Sequence, residues 1–151
     1  MTEVRFYHLA RQSLEDVLPV MLARTLERGQ RAVVIARSTE RVEALAARLW
    51  DYEEHSFLPH GTKADGRAAL QPVWLTETDE NPNGAATLFL ADGATSTAIG
   101  GFALVCELVD GADDAAVGQA RERWRAYQAA GHRLTYWQQD DAGRWAQRPG
   151  D

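Results

Sequence analysis

The chain has 151 residues, 45% hydrophobic and 25% charged, the size and composition of one globular domain around one core. Sixteen Lys and Arg against twenty-two Asp and Glu leave a formal net charge of -6, which opposes bulk binding to a phosphate backbone and leaves room only for a local basic patch. A single cysteine, Cys106, excludes an internal disulfide and the usual thiolate zinc sites.

Val4-Arg5-Phe6-Tyr7-His8-Leu9 is β-branched and aromatic and predicts a first strand. Leu14, Val17, Leu18, Met21, Leu22, Thr25 and Leu26 then recur on one helical face, with Ser13 as N-cap, Gly29 as stop and Pro19 inside as an expected kink. Arg31-Ala32-Val33-Val34-Ile35-Ala36 is nearly continuous in apolar residues, the pattern of a central parallel strand covered on both faces. Ser38 caps a second helix whose apolar face carries Val42, Leu45, Leu49 and Trp50.

Residues 51–71 have no period and form a loop longer than ordinary connections, with ordered contacts expected around Ser56-Phe57-Leu58-Pro59-His60. Short strands follow at Val73-Trp74-Leu75-Thr76, Thr87-Leu88-Phe89-Leu90 and Leu104-Val105-Cys106-Glu107-Leu108-Val109. Asp113 or Asp114 opens a last helix that runs through Trp124 and Tyr127 to Gly131, and a strand from Arg133 to Trp137 closes the pattern. Strands alternating with helices predict an α/β class fold with a mostly parallel sheet flanked by helices. Residues 1–137 are expected to form that single domain, and residues 138–151 a polar, flexible tail. Whether residues 73–90 form a hairpin or two parallel strands is open at this stage.

Such a sheet often binds nucleotides, yet the turn after the first strand reads Ala10-Arg11-Gln12-Ser13, with no glycine fingerprint and no Gly-Lys-Ser/Thr loop. His8, His55, His60 and His132 show no metal-ligand spacing, and no metal or cofactor is expected. Cys106 lies within an apolar strand and reads as a buried thiol rather than a nucleophile. No serine sits in a Gly-x-Ser-x-Gly elbow. The acids at Asp110, Asp113 and Asp114 suit a helix N-terminus. No stretch has the length of a membrane span, and MTEVRFYHLARQ lacks the order of a signal peptide, so a soluble cytoplasmic protein is expected.

One feature stands against the acidic background. Arg121, Arg123 and Arg125 occur with Trp124 and Tyr127, and Arg121, Trp124 and Arg125 share one helical stripe at i, i+3 and i+4. A guanidinium and an aromatic ring there can meet one carboxylate-bearing apolar ligand together. Spacing alone favours a core tryptophan beside a solvated arginine face. Phe57, Pro59 and Trp74 suit either packing or an apolar partner surface.

The sequence resembles the chi subunit of bacterial DNA polymerase III holoenzyme. Phe6-Tyr7, the run from Arg31 to Ala36, Leu49-Trp50, Ser56-Phe57-Leu58-Pro59-His60 and Arg121-Glu122-Arg123-Trp124-Arg125-Ala126-Tyr127 carry the resemblance. It implies a Rossmann-like (mononucleotide-binding-like) sheet without a nucleotide site, and an accessory subunit that is not itself catalytic. It also implies a replisome adaptor, joining the clamp-loader complex through its psi subunit to the acidic, Phe-ending C-terminal tail of single-stranded-DNA-binding protein. No direct DNA binding and no membrane association are expected. By motif position Arg121 and Trp124 fall on tail-binding positions, with Arg125 beside them, and Val117 stands where some members carry a basic residue. Trp50, Phe57, Pro59, His60 and Trp74 are candidates for partner interfaces. The alternative from fold class alone is a small nucleotide- or metabolite-binding enzyme on a Rossmann-like sheet.

Overall fold

A computed structural model of the chain describes residues 2–51 and 58–149. Among the described residues the order is β1 (Glu3–Leu9), α1 (Leu14–Glu27), β2 (Ala32–Ile35), α2 (Thr39–Trp50), β3 (Val73–Thr76), β4 (Thr87–Leu90), β5 (Leu104–Asp110), α3 (Asp114–Ala129), β6 (Arg133–Gln139) and β7 (Trp145–Arg148), with short 3-10 turns at Ala68–Leu70 and Ile99–Gly101. The strands form one sheet in the order β3-β2-β4-β5-β1-β6-β7. All neighbours are parallel except β6 and β7. The fold is α/β and Rossmann-like.

Parallel neighbours cannot be joined by tight turns, so each strand returns through a crossover, and the crossovers cover the two faces. Alternation along the strands decides what each face holds. Tyr7 and Leu9 of β1, Val34 of β2 and Cys106 and Leu108 of β5 pack with Leu18 and Leu22 of α1 and Leu45 and Leu49 of α2. Val4 and Phe6, Val33 and Ile35, Leu88 and Leu90, and Val105 and Val109 face the other way, under Ala120 of α3 and under Ile99 and Phe102. β2 is buried at every position, in keeping with its unbroken apolar run.

The local signals at helix starts act through hydrogen bonds. Ser13 and Asp16 make a reciprocal capping box at α1, Ser38 accepts from the amide of Arg41 at α2, and the Asp113 carboxylate accepts from the amides of Ala115 and Ala116 at α3. These contacts satisfy amides that the first helical turn leaves without partners. α1 continues through Pro19, which sits on its buried side. β3 and β4 are parallel strands on either side of β2, so residues 73–90 do not form a hairpin.

Two expectations differ from the structure. Residues 138–149 were expected as a flexible polar tail; instead β6 extends to Gln139 and β7 pairs with it antiparallel. The physical reason is Trp145, which packs edge-on against Tyr7 at 5.0 Å between ring centroids and anchors an otherwise polar strand. Trp74, expected near a partner surface, is 4% exposed and belongs to the core beside Val33 and Ile35. Gly61 forms a bridge with Trp74 on the outer side of β3, so this edge strand is covered.

Candidate functional site

Three residues of the predicted stripe line one groove between α3 and the β1/β6 side of the sheet. Arg121, Trp124 and Arg125, together with Val117, form its helical wall; Phe6, His8, Tyr136 and Gln138 form the sheet side. The cavity measures about 290 Å³. That is the size of a small ligand site, and Pro149 also lines it.

The floor is aromatic and the rim is charged. Trp124 packs on Phe6 at 5.2 Å between ring centroids, and Phe6 in turn lies 5.9 Å from Tyr127. The tryptophan therefore has both roles that its spacing allowed: its ring leans on the core while it lines the groove. Its indole Nε1 is buried with no hydrogen-bond partner, a donor left over in the helical wall. Arg121 and Arg125 are exposed beside it.

On the sheet side, the Tyr136 hydroxyl and His8 Nδ1 share a 2.6 Å hydrogen bond, and Gln138 Nε2 donates to the same hydroxyl at 3.3 Å. Gly111 makes room for this ring, since a Cβ there would lie 2.2 Å from His8 Nε2. His8, Tyr136 and Gln138 were not singled out as site residues in the sequence. His8 and Tyr136 are 128 positions apart, and only the strand order brings them together.

α3 is held in place by a buried polar cluster. Glu107, 1% exposed in the middle of β5, accepts two bonds from Arg123, Nε at 2.9 Å and Nη2 at 3.1 Å, and one from the Tyr127 hydroxyl at 2.7 Å. Burial pushes the Glu107 carboxyl above its ordinary value, and Arg123 and Tyr127 pull against that shift. Arg123 was expected within a cationic surface. It turns inward instead, because a bidentate guanidinium is the group that satisfies a buried carboxylate. The sequence signal was a lone acid inside Leu104-Val105-Cys106-Glu107-Leu108-Val109 facing a helix with Arg and Tyr at i and i+4.

The other predicted partner residues lie elsewhere. Trp50, 61% exposed at the end of α2, meets the His60 ring at 5.2 Å, and His60 Nδ1 donates to the Leu58 carbonyl at 2.6 Å. Pro59 lies between them in sequence and is half-buried. This patch sits beside β3, at the opposite edge of the sheet from β6. Phe57 lies outside the described residues.

A second crevice, about 420 Å³, opens at the carboxyl ends of β1 and β5, between Ser13 of the α1 cap and Asp113 of the α3 cap. This is where an open α/β sheet would take a ligand. Within it Arg41 pairs with Glu15 and, at 2.5 Å, with Asp92, and both helix caps are satisfied internally, while Arg37 and Gln119 complete the polar lining. Among the described residues no group of three or more His, Cys, Asp or Glu could hold a metal ion. Cys106 is buried, and desolvation raises its thiol to about 12. Among the described residues, no helix is long and apolar enough to cross a membrane.

Residues 1–135 match the family model described as DNA polymerase III chi subunit, HolC. The chain belongs to the DNA polymerase III chi subunit family. It is also similar to a protein named probable DNA polymerase III subunit chi from Rickettsia prowazekii (strain Madrid E), 27% identical over 90 residues, which are 60% of this chain and 54% of that protein. The chain thus spans about half the length of the curated relative it matches. The chi family match takes in β1 through the whole of α3 with its Arg121, Trp124 and Arg125, and ends at Thr135, inside β6.

Proposed function

We propose that this chi-family chain is a noncatalytic replisome adaptor whose α3/β6 groove captures the acidic, Phe-ending C-terminal tail of single-stranded-DNA-binding protein. The observation that carries the reading is the convergence of Arg121, Trp124 and Arg125 on one apolar-floored cavity. A peptide that ends in an aromatic residue beside carboxylates needs that combination: a pocket for the ring, and guanidinium groups on its rim for the charges. An acidic body with a local basic rim also disfavours DNA as a competitor for the same groove. The separate patch of Trp50, Pro59 and His60, at the far edge of the sheet, suits a second partner, and a clamp-loader psi subunit is the partner we assign to it.

The crevice at the carboxyl ends of the strands supports the enzymatic alternative less well, because its Arg41 and its helix caps are spent on internal contacts. The test is a titration of a fluorescently labelled tail peptide at low and moderate salt, with a peptide lacking the terminal Phe as control. Binding on the order of micromolar, weakened by salt and lost with the Phe or with Arg121→Ala, is the expected result. Equal binding of both peptides, or none of either, refutes the reading.

A further inference from the structure

The outer wall of the groove comes from beyond the part of the chain that matches the family. The match ends at residue 135, whereas Tyr136, Gln138 and Pro149 all line the cavity. What builds this wall is the β6/β7 hairpin, in which Tyr136 stands opposite Arg148 and Gln138 opposite Ala146. Residues directly opposite on an antiparallel pair project from the same face. Tyr136 faces the groove, so Arg148 stands on the groove face as well, next to Pro149. The parity is locked by the core, since Trp137 and Trp145 occupy the other face and pack against Tyr7.

Arg148 is exposed, and it makes no hydrogen bond or ion pair among the described residues. The hairpin's other arginine, Arg144, differs, because Asp140 engages it at 3.6 Å. Strand parity thus sets Arg148 on the groove face of the hairpin, across from the helix that carries Arg121 and Arg125. At position 117, where some members of the family it resembles carry a basic residue, the helical wall offers Val117.

We propose that Arg148 is a specificity-determining residue of this groove, holding a carboxylate of the bound acidic peptide from the side opposite α3 and supplying the cation that position 117 lacks. This rests on the reading of the groove as an acidic-tail site. A peptide gripped from two sides has its carboxylates fixed in register, and a neutral peptide of the same shape gains nothing from the second rim.

The test uses the full chain and a labelled acidic peptide with a C-terminal Phe, followed by fluorescence anisotropy, with R148A, R148E and R144A compared with the unmodified protein. A rim ion pair is small, so R148A should weaken binding about threefold. R148E should weaken it about tenfold and flatten the salt dependence, and R144A should leave both unchanged. A second, neutral peptide with its acids replaced by Asn and Gln and its C-terminus amidated should bind the unmodified protein and R148E alike. Binding of the acidic peptide to R148E within about twofold of the unmodified protein overturns the assignment of Arg148 while leaving the groove reading intact. An equal loss for the neutral peptide also overturns it, since the effect would then be on groove shape. Failure of the unmodified protein to bind either peptide removes both the groove reading and this inference.

Discussion

Replacing Arg123 with alanine removes two hydrogen bonds from a carboxylate that is 1% exposed. Tyr127 alone remains, at 2.7 Å. Truncating one member of a buried ion pair strands the other charge, which costs about 3–5 kcal/mol. For a chain of this length that corresponds to a Tm lower by about 10 °C. The cost should also depend on pH, with a sign that follows from the carboxyl. Burial already raises Glu107 above its ordinary value of 4.5, and loss of the guanidinium raises it further. An acid whose folded value is raised leaves the protein most stable below the unfolded value, and stability falls as pH climbs through the folded one. The deficit of R123A relative to the unmodified protein should therefore be smaller at acidic pH and grow as the pH rises. Adding Glu107→Gln to R123A should recover part of the loss at the higher pH, because the stranded charge is gone. Urea unfolding of the unmodified protein, R123A and the double variant at an acidic and at a neutral pH measures this. A deficit below about 1 kcal/mol at the higher pH, or one that grows on acidification, refutes the buried-pair account.

Other parts of the structure give further expectations. The Cys106 thiol, buried and raised to about 12, should resist alkylation in the native protein at neutral pH and react at once in denaturant; rapid native labelling, read by mass spectrometry, would contradict its burial. Gly111→Ala should press a methyl group into the His8 ring, breaking its bond to Tyr136. A loss of about 1–3 kcal/mol in urea unfolding, together with weaker tail-peptide binding, is expected.

Much of the architecture was legible because its signals are local. The unbroken apolar run of β2 announced a strand covered on both faces, and Ser13, Ser38 and the Asp113-Asp114 pair announced helix starts that the structure completes with hydrogen bonds, at the last helix through Asp113. The helical wall of the groove was legible for the same reason, since Arg121, Trp124 and Arg125 are neighbours by helical period alone. What stayed hidden depended on partners far away in sequence. Arg123 looked like its neighbours until Glu107, 16 residues earlier, claimed it. Tyr136 and His8 meet only because β6 lies beside β1. β7 was hidden by its composition, because a strand with one buried tryptophan among Ala, Gln and Arg carries no alternation strong enough to separate it from a tail. Trp74 stayed open between packing and a partner surface because the segment covering its edge strand, around Gly61, is itself without period.

The central claim, that an acidic Phe-ending tail occupies the α3/β6 groove, is tested most directly by ¹⁵N-labelling the protein and following its amide and indole signals as unlabelled tail peptide is added. The indole of Trp124, whose N–H has no partner in the free protein, should shift together with the amides of Arg121 and Tyr136, while the indoles of Trp50 and Trp74 hold still. Shifts centred on Trp50 and His60, with Trp124 unmoved, would place the tail at the opposite edge of the sheet and contradict the account.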